Sequence, residues 1–372
     1  MTDGPLYDPE LRRETPLALK LKERIRREGP ITVAQYMEAC LQDPDHGYYR
    51  TKAAIGAQGD FVTAPEISQV FGELIGLWCA VVWQQMGSPS KVNLVELGPG
   101  RGTLMRDALR AAKVLPAFLA AAEVHLVESN EALRRQQAEA LAGWRDRLTW
   151  HTVLDALPIG RPTIVIANEF LDTFPVEQFT LTQQIARRRG VGVDAKERLC
   201  FVNVDEPFVS TRDIDDGIVE EANYRPLWQL NHMLSSAQLA ALLIDYGHIS
   251  ALSGDTLQAV KCHRAEHPLT SPGEADLTVQ VDFASAAAHL AQPPQGLPAP
   301  VIDGPVTQAE FLGALGILPR TARLMAANPT KAHEIEVGTA RLMAVPGMGD
   351  RFKVLGVRSA LLTQLPGFPS SD

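Results

Sequence analysis

Cysteine is scarce in this 372-residue chain, and the four present (Cys40, Cys79, Cys200, Cys262) lie far apart with no Cys-x-x-Cys pair. Neither a disulfide framework nor a thiolate metal site follows, and a reducing compartment fits best. Long apolar runs are missing too. None approaches the ~18 residues that span a bilayer, and the best candidate, Val70 to Trp83, is broken by Glu73 and two glycines. Positive charge is not in excess: 44 Asp and Glu stand against 35 Lys and Arg, a net charge of −9. That balance argues against a nucleic-acid binder, which needs a basic face to track phosphates. The one dense basic run, Arg187-Arg188-Arg189, reads as solvated charge beside a loop. The opening MTDGPLYDPE is acidic and lacks the apolar stretch of a signal peptide, so the expectation is a soluble cytoplasmic protein with no membrane insertion. His, Asp and Glu show no metal-ligand spacing, and no Ser-His-Asp or Cys-His nucleophile site is legible.

What the chain does have is ordinary globular composition, 45% hydrophobic and 21% charged. Residues 1–90 read as helical, with a charged amphipathic helix over Leu17 to Glu28 and another over Gln35 to Gln42, stopped by Asp43-Pro44-Asp45-His46-Gly47. From Lys91 short β-like runs alternate with helices. Strands are expected at Val92–Leu97, Val124–Val127, Leu148–Val153, Thr163–Ala167, Ala240–Tyr246 and Phe352–Val357, with helices over Thr103–Lys113 and Asn130–Ala142. Such alternation predicts a parallel sheet with right-handed crossovers. The blocks read as a helical region (1–90), an α/β core (91–283) carrying an insertion at 183–225, a helical elaboration (284–346), and a final core strand and tail (347–372).

The most informative stretch is Glu96-Leu97-Gly98-Pro99-Gly100-Arg101-Gly102-Thr103. It follows an apolar strand and opens a helix, the context a nucleotide loop requires, and glycines let a ligand approach the backbone. A dinucleotide loop reads G-x-G-x-x-G. This one reads E-x-G-x-G-x-G, the pattern of class I S-adenosylmethionine (SAM) methyltransferases. SAM has no phosphate but carries a cationic sulfonium and an amino-acid end, which suits an acid at Glu96. A second carboxylate at the end of the next strand, Glu128, suits ribose hydroxyls. After the fourth strand comes Asn168-Glu169-Phe170-Leu171-Asp172, where open α/β sheets bind ligands. Asn168 and Glu169 are expected to face the transferred methyl group, and Glu169 and Asp172, three apart, to share one side of a helical turn. The prolines of the tetrapeptide that orients a flipped base are lacking there, and carboxylates suit a cation better.

Before the core, Thr63 and Glu66 read as a capping box with Pro65 in the first turn. Ile67, Val70, Phe71, Leu74, Trp78 and Val81 form an apolar stripe, while Glu66, Gln69 and Glu73 form a polar one, a solvent face by default. Asp245-Tyr246-Gly247-His248 ends another strand on the same side of the sheet, a place from which it could line an acceptor pocket. His248 and His46 each read more simply as loop hydrogen-bonders.

Together these segments resemble the MidA family of SAM-dependent methyltransferases. The most specific match is Gly59-Asp60-Phe61-Val62-Thr63-Ala64-Pro65-Glu66-Ile67-Ser68-Gln69, and others are Pro44-Asp45-His46-Gly47-Tyr48-Tyr49, Ile244-Asp245-Tyr246-Gly247, Gly254 to Ala259 and Pro272 to Phe283. The resemblance implies an α/β class I methyltransferase fold, a Rossmann-like and mostly parallel seven-stranded sheet with an N-terminal helical extension and further elaborations. It implies SAM as cofactor, and a protein substrate whose arginine is methylated, a subunit of respiratory complex I. Carried over residue by residue, Gly98, Pro99, Gly100 and Gly102 form the cofactor loop with Glu96 and Thr63, Glu128 holds the ribose, and Glu169, Asn168 and Glu66 lie at the catalytic end. The capping loop thus contributes Asp60 as a candidate beside Thr63 and Glu66. A SAM-binding assembly factor with little catalysis and a methyltransferase for another acceptor remain alternative readings; a nicotinamide-dependent oxidoreductase is disfavoured by the glycine spacing. Segments 183–225 and 284–346 read as client-binding surfaces or homodimer contacts.

Overall fold

The computed structural model describes residues 7–51, 63–158, 160–205, 207–210, 215–227, 230, 238–249, 254–293 and 298–369. The expected Gly56–Asp60 loop and Asp60 itself lie outside them. The chain divides into two compact units, one made of Met1–Phe61, Asp172–Asn223 and Ser250–Gln280, the other of Val62–Leu171, Tyr224–Ile249 and Val281–Asp372.

The larger unit holds a sheet whose seven main strands we label in chain order: β1 (Val92–Leu97), β2 (Ala122–Val127), β3 (Leu148–His151), β4 (Thr163–Asn168), β5 (Leu239–His248), β6 (Val301–Thr307) and β7 (Phe352–Arg358). Their spatial order is β6-β7-β5-β4-β1-β2-β3. The pairs β1–β2, β1–β4, β2–β3 and β4–β5 are parallel, and β7 alone runs antiparallel, to both β5 and β6. This is the mostly parallel, Rossmann-like sheet of the class I methyltransferase fold. Every residue of β1 and of β4 is buried, as befits strands covered by helices on both faces. The strand order turns back between β1 and β4, so loops leaving their carboxyl ends flank the crevice at the switch point.

The smaller unit is built on an antiparallel sheet of Ile31–Thr32, Val176–Thr182, Ile185–Val193, Leu199–Asn203, Phe208–Val209 and Gly217–Ala222. Helices Pro16–Glu28 and Val33–Gln42 bury Leu17, Leu21, Tyr36 and Met37 in one cluster with Val191 and Leu199. Thr32 caps the second helix in a true capping box with Gln35, and Asp43 ends it, its Oδ1 accepting the amides of Asp45 and His46.

Several local expectations are corrected. The N-terminal block is not purely helical, because Ile31–Thr32 pairs with Val191 and Gly190; two residues are too short a run to announce a strand. Segment 183–225 makes most of the antiparallel sheet, and 284–346 supplies β6 to the core sheet besides its helices. Thr63 stands at the start of a four-residue helix, Ala64–Ile67, but its side chain makes no capping bond. Ser68 interrupts the helix and caps the next, Gln69–Gln85. Glu66 is therefore not the partner of a capping box. On Gln69–Gln85, Val81 is 42% exposed rather than in the core. Glu73 is buried, held by Arg110 at 3.1 Å and Arg320 at 2.8 Å, so at this position the polar stripe is an ion-paired seam between helices, while Gln69 is exposed. Periodicity marks which residues share a face but not whether that face meets solvent or a charged neighbour.

Candidate functional site

The site is built on the carboxyl ends of the parallel strands. After β1 the chain passes through Gly98, Gly100 and Gly102 with φ of 60°, 53° and 79°, a region closed to most side chains. A Cβ at Gly98 would also stand 2.9 Å from Cδ2 of Phe170. The Gly102 amide donates to the Pro99 carbonyl at 2.8 Å, and Gly102 is the left-handed cap of helix Thr103–Ala111.

Glu96 lies one residue before the end of β1 and is only 3% exposed, with no hydrogen-bond partner for Oε2 among the described residues. Burial pushes its carboxyl up to about 8, against a hydrogen bond from the Met105 backbone that lowers it. Glu128 follows β2. Its amide donates to the His151 carbonyl at 2.9 Å, and its Oε1 accepts the Asn130 amide at 2.7 Å. Burial raises its carboxyl as well, the stronger influence over the hydrogen bonds from Asn130 and Gln137. Gln137, which sequence reasoning missed, donates to the Gly100 carbonyl at 2.7 Å.

At the end of β4, Asn168 is buried and its Oδ1 has no partner among the described residues. Glu169 sits at φ 52°, its amide bonded to the Ile244 carbonyl of β5 at 2.8 Å. Its Oε1 accepts the Ala64 amide at 3.1 Å and Asn168 Nδ2 at 3.2 Å. Burial lifts its carboxyl to about 7 despite those two bonds. The left-handed backbone corrects the expected helical turn through Glu169 and Asp172: a 3-10 turn begins only at Leu171, and Asp172 belongs to the smaller unit.

Asp245 is fully buried, and its Oδ2 accepts the amides of Phe170 and Leu171 at 3.0 and 2.9 Å. It organises the loop that follows Glu169, a role that the sequence reading, which placed Asp245 toward an acceptor pocket, did not foresee. Gly247 lies where a Cβ would meet the Val281 carbonyl at 2.0 Å, and half-buried His248 pairs in register with Asp282.

Glu66 lies beside the glycine loop, its Oε1 accepting the Thr103 hydroxyl at 2.5 Å and its Oε2 3.8 Å from Arg101. Thr63 contributes its carbonyl, which accepts the amides of Glu66 and Ile67. The structure thus gathers Glu96, the glycine loop, Glu128, Glu66, Asn168 and Glu169 on one unit, at the carboxyl ends of β1, β2 and β4 and the short helix before them. Among the described residues no group of three His, Cys, Asp or Glu side chains could hold a metal ion, and no helix is long and apolar enough to cross a membrane.

A glycine loop in the left-handed conformation, a buried carboxylate with one unsatisfied oxygen and a second carboxylate closing the next strand fit a small ligand carrying both a cationic amino-acid end and hydroxyls. The comparisons agree. Residues 74–296 match the family described as "Putative S-adenosyl-L-methionine-dependent methyltransferase". The chain is 35% identical to a Drosophila melanogaster protein named protein arginine methyltransferase NDUFAF7 homolog, mitochondrial, covering 94% of this chain and 87% of that protein. It is 34% identical to human protein arginine methyltransferase NDUFAF7, mitochondrial, over 91% and 82%. Among solved structures it is similar to a "likely methyl transferase" from Burkholderia thailandensis bound to S-adenosyl-homocysteine, with a TM-score of 0.77 and 25% identity over 96% of this chain and 97% of that one. A fold, a family match over more than half the chain and full-length relatives converge, and the chain belongs to the MidA-like family of SAM-dependent methyltransferases.

Proposed function

We propose that this protein is a protein-arginine ω-N-methyltransferase, with Glu169 as the residue that grips the acceptor guanidinium. The observation that carries the reading is the Glu169 carboxylate, half-buried at the end of β4 and lifted toward neutrality. The names of the relatives, arginine methyltransferases at 34–35% identity, support the same acceptor.

SAM supplies an electrophilic methyl group on a sulfonium. The residues we assign to holding it are Gly98, Pro99, Gly100 and Gly102, with Glu96 toward its amino-acid end, Glu128 toward its ribose and Thr63 at the neighbouring helix start. The acceptor arginine is always protonated and its lone pairs are delocalised, so transfer depends on positioning and on where the charge is held. A carboxylate on the guanidinium fork localises that charge away from the attacking nitrogen and fixes its approach. As that nitrogen takes the methyl group, the N–H proton it loses passes to Glu169, whose affinity for a proton near neutral pH suits general-base work. Asn168, bonded to the same Glu169 oxygen, holds the carboxylate in place, and Glu66 fixes the start of the loop helix through Thr103.

We extend the proposal, on the family resemblance alone, to an acceptor that is a subunit of respiratory complex I, methylated in the cytoplasm during assembly. Segments 183–225 and 284–346 are then surfaces for that client or for a second copy of the chain. Methyl-labelled SAM incubated with the protein and a complex I preparation should place label in arginine, recovered as methylarginine after hydrolysis. Label in lysine or in small molecules would overturn the acceptor assignment.

A further inference from the structure

Gln137 sits in the helix Glu131–Ala140 with no exposure to solvent. Burying an amide costs desolvation unless each of its groups finds a partner, and an aliphatic residue would fill the space without that cost. Here Nε2 donates to the Gly100 carbonyl at 2.7 Å and lies 3.5 Å from Oε2 of Glu128, while Oε1 accepts Nε1 of Trp150 at 2.9 Å. An indole N–H can only donate and a backbone carbonyl can only accept, so the two partners fix which way round the amide lies. The glycine loop also rests on this residue: a Cβ at Gly102 would stand 3.4 Å from the Cα and the Cγ of Gln137. One side chain therefore ties together the loop after β1, the carboxylate after β2 and the indole on β3.

We propose that Gln137 is a positioning residue for cofactor binding, holding the Gly100 carbonyl and the Glu128 carboxylate on one amide that Trp150 anchors. This rests on the reading of Glu128 as the ribose ligand. A purely space-filling glutamine would influence stability alone. A positioning one ties the loop to Glu128, and its contribution to cofactor affinity depends on that carboxylate being present.

The test is calorimetric titration with S-adenosyl-homocysteine of the full-length protein, Gln137→Met, Glu128→Gln and the double variant, with circular dichroism confirming the fold. Gln137→Met keeps the side-chain length and deletes the hydrogen bonds; we expect roughly tenfold weaker binding. Glu128→Gln should weaken it comparably, and the double variant should bind more tightly than the product of the two losses predicts. Affinity within twofold of wild type in a folded Gln137→Met, or losses that multiply, would overturn the positioning role while leaving Glu128 as a ligand. Unchanged affinity in Glu128→Gln would instead remove the ribose reading and, with it, the coupling proposed here. Should Gln137→Met not fold, Trp150→Phe deletes the indole donor together with part of its packing, and circular dichroism again confirms the fold: a roughly threefold loss in the folded variant supports the role, and wild-type affinity refutes it.

Discussion

The Glu169 carboxylate accepts the backbone amide of Ala64 at 3.1 Å, tying the end of β4 to the helix start that precedes the core. With the Asn168 amide as its other donor, it is hydrogen-bonded but has no cationic partner among the described residues, and burial dominates its titration. If its ionised form grips the acceptor, kcat/KM should rise with pH along an acid limb centred near 7. The limb in kcat should lie lower, because a bound guanidinium favours the carboxylate. Glu169→Gln should lose the limb and at least roughly a hundredfold of kcat, with S-adenosyl-homocysteine affinity preserved. Full activity in that variant would refute the assignment.

Glu96 makes a separate prediction about stability. Its folded-state pKa, about 8, lies above the 4.5 expected of an unfolded chain, so the folded protein binds the extra proton between those values. The stabilisation is complete below about 4.5 and is lost as pH rises through 8. Glu96→Gln should therefore flatten the dependence, its advantage over wild type in thermal unfolding growing to the order of a few kcal/mol above pH 8. Equal pH dependence in the two proteins would contradict this.

The same group predicts proton release on ligation. An ammonium placed beside Glu96 favours its ionised form, so at pH 7 titration with S-adenosyl-homocysteine should release a substantial fraction of about one proton. Heats measured in buffers of different ionisation enthalpy report that number directly, and Glu96→Gln should reduce it.

Gly98→Ala tests the loop. The substitution forces a methyl into a left-handed backbone, a cost of about 1–2 kcal/mol, and toward the Phe170 ring 2.9 Å away. We expect cofactor affinity to fall roughly tenfold or more, since a strain of 1.4 kcal/mol alone is worth a factor of ten. Gly98→Ala in a Phe170→Ala background should recover part of the loss if the ring contact contributes.

The buried seam gives a contrasting case. Glu73→Gln leaves Arg110 and Arg320 without their shared carboxylate. Both arginines are partly exposed, so the cost should fall below the 3–5 kcal/mol of a fully buried pair, at roughly 2 kcal/mol. Chemical denaturation should show that loss with cofactor affinity unchanged. Loss of affinity at full stability would place Glu73 in the site.

The sequence by itself determined the strands β1, β2 and β4 nearly to the residue, because each is a short, mostly apolar stretch with only isolated polar residues, lying between helical or turn segments. It also determined the glycine loop, whose positive φ angles only glycine meets cheaply, and the carboxylates that close β1, β2 and β4. These are consequences of local chain stereochemistry and of strand period, so local sequence carries them. The tertiary structure alone decided what those groups touch. It left the expected capping box unmade, broke the helix at Ser68 and turned Glu66 to Thr103, and it buried Glu73 against two arginines from distant helices. It also set Glu169 in a left-handed bend, pinned by Ile244 and the Asp245 carboxylate, instead of a helical turn shared with Asp172. Each outcome depends on a partner far along the chain, and so does the buried amide of Gln137, which nothing in its own helix announces. Hydrogen bonding and burial between distant segments are properties of the packed molecule, and no window of sequence contains both partners.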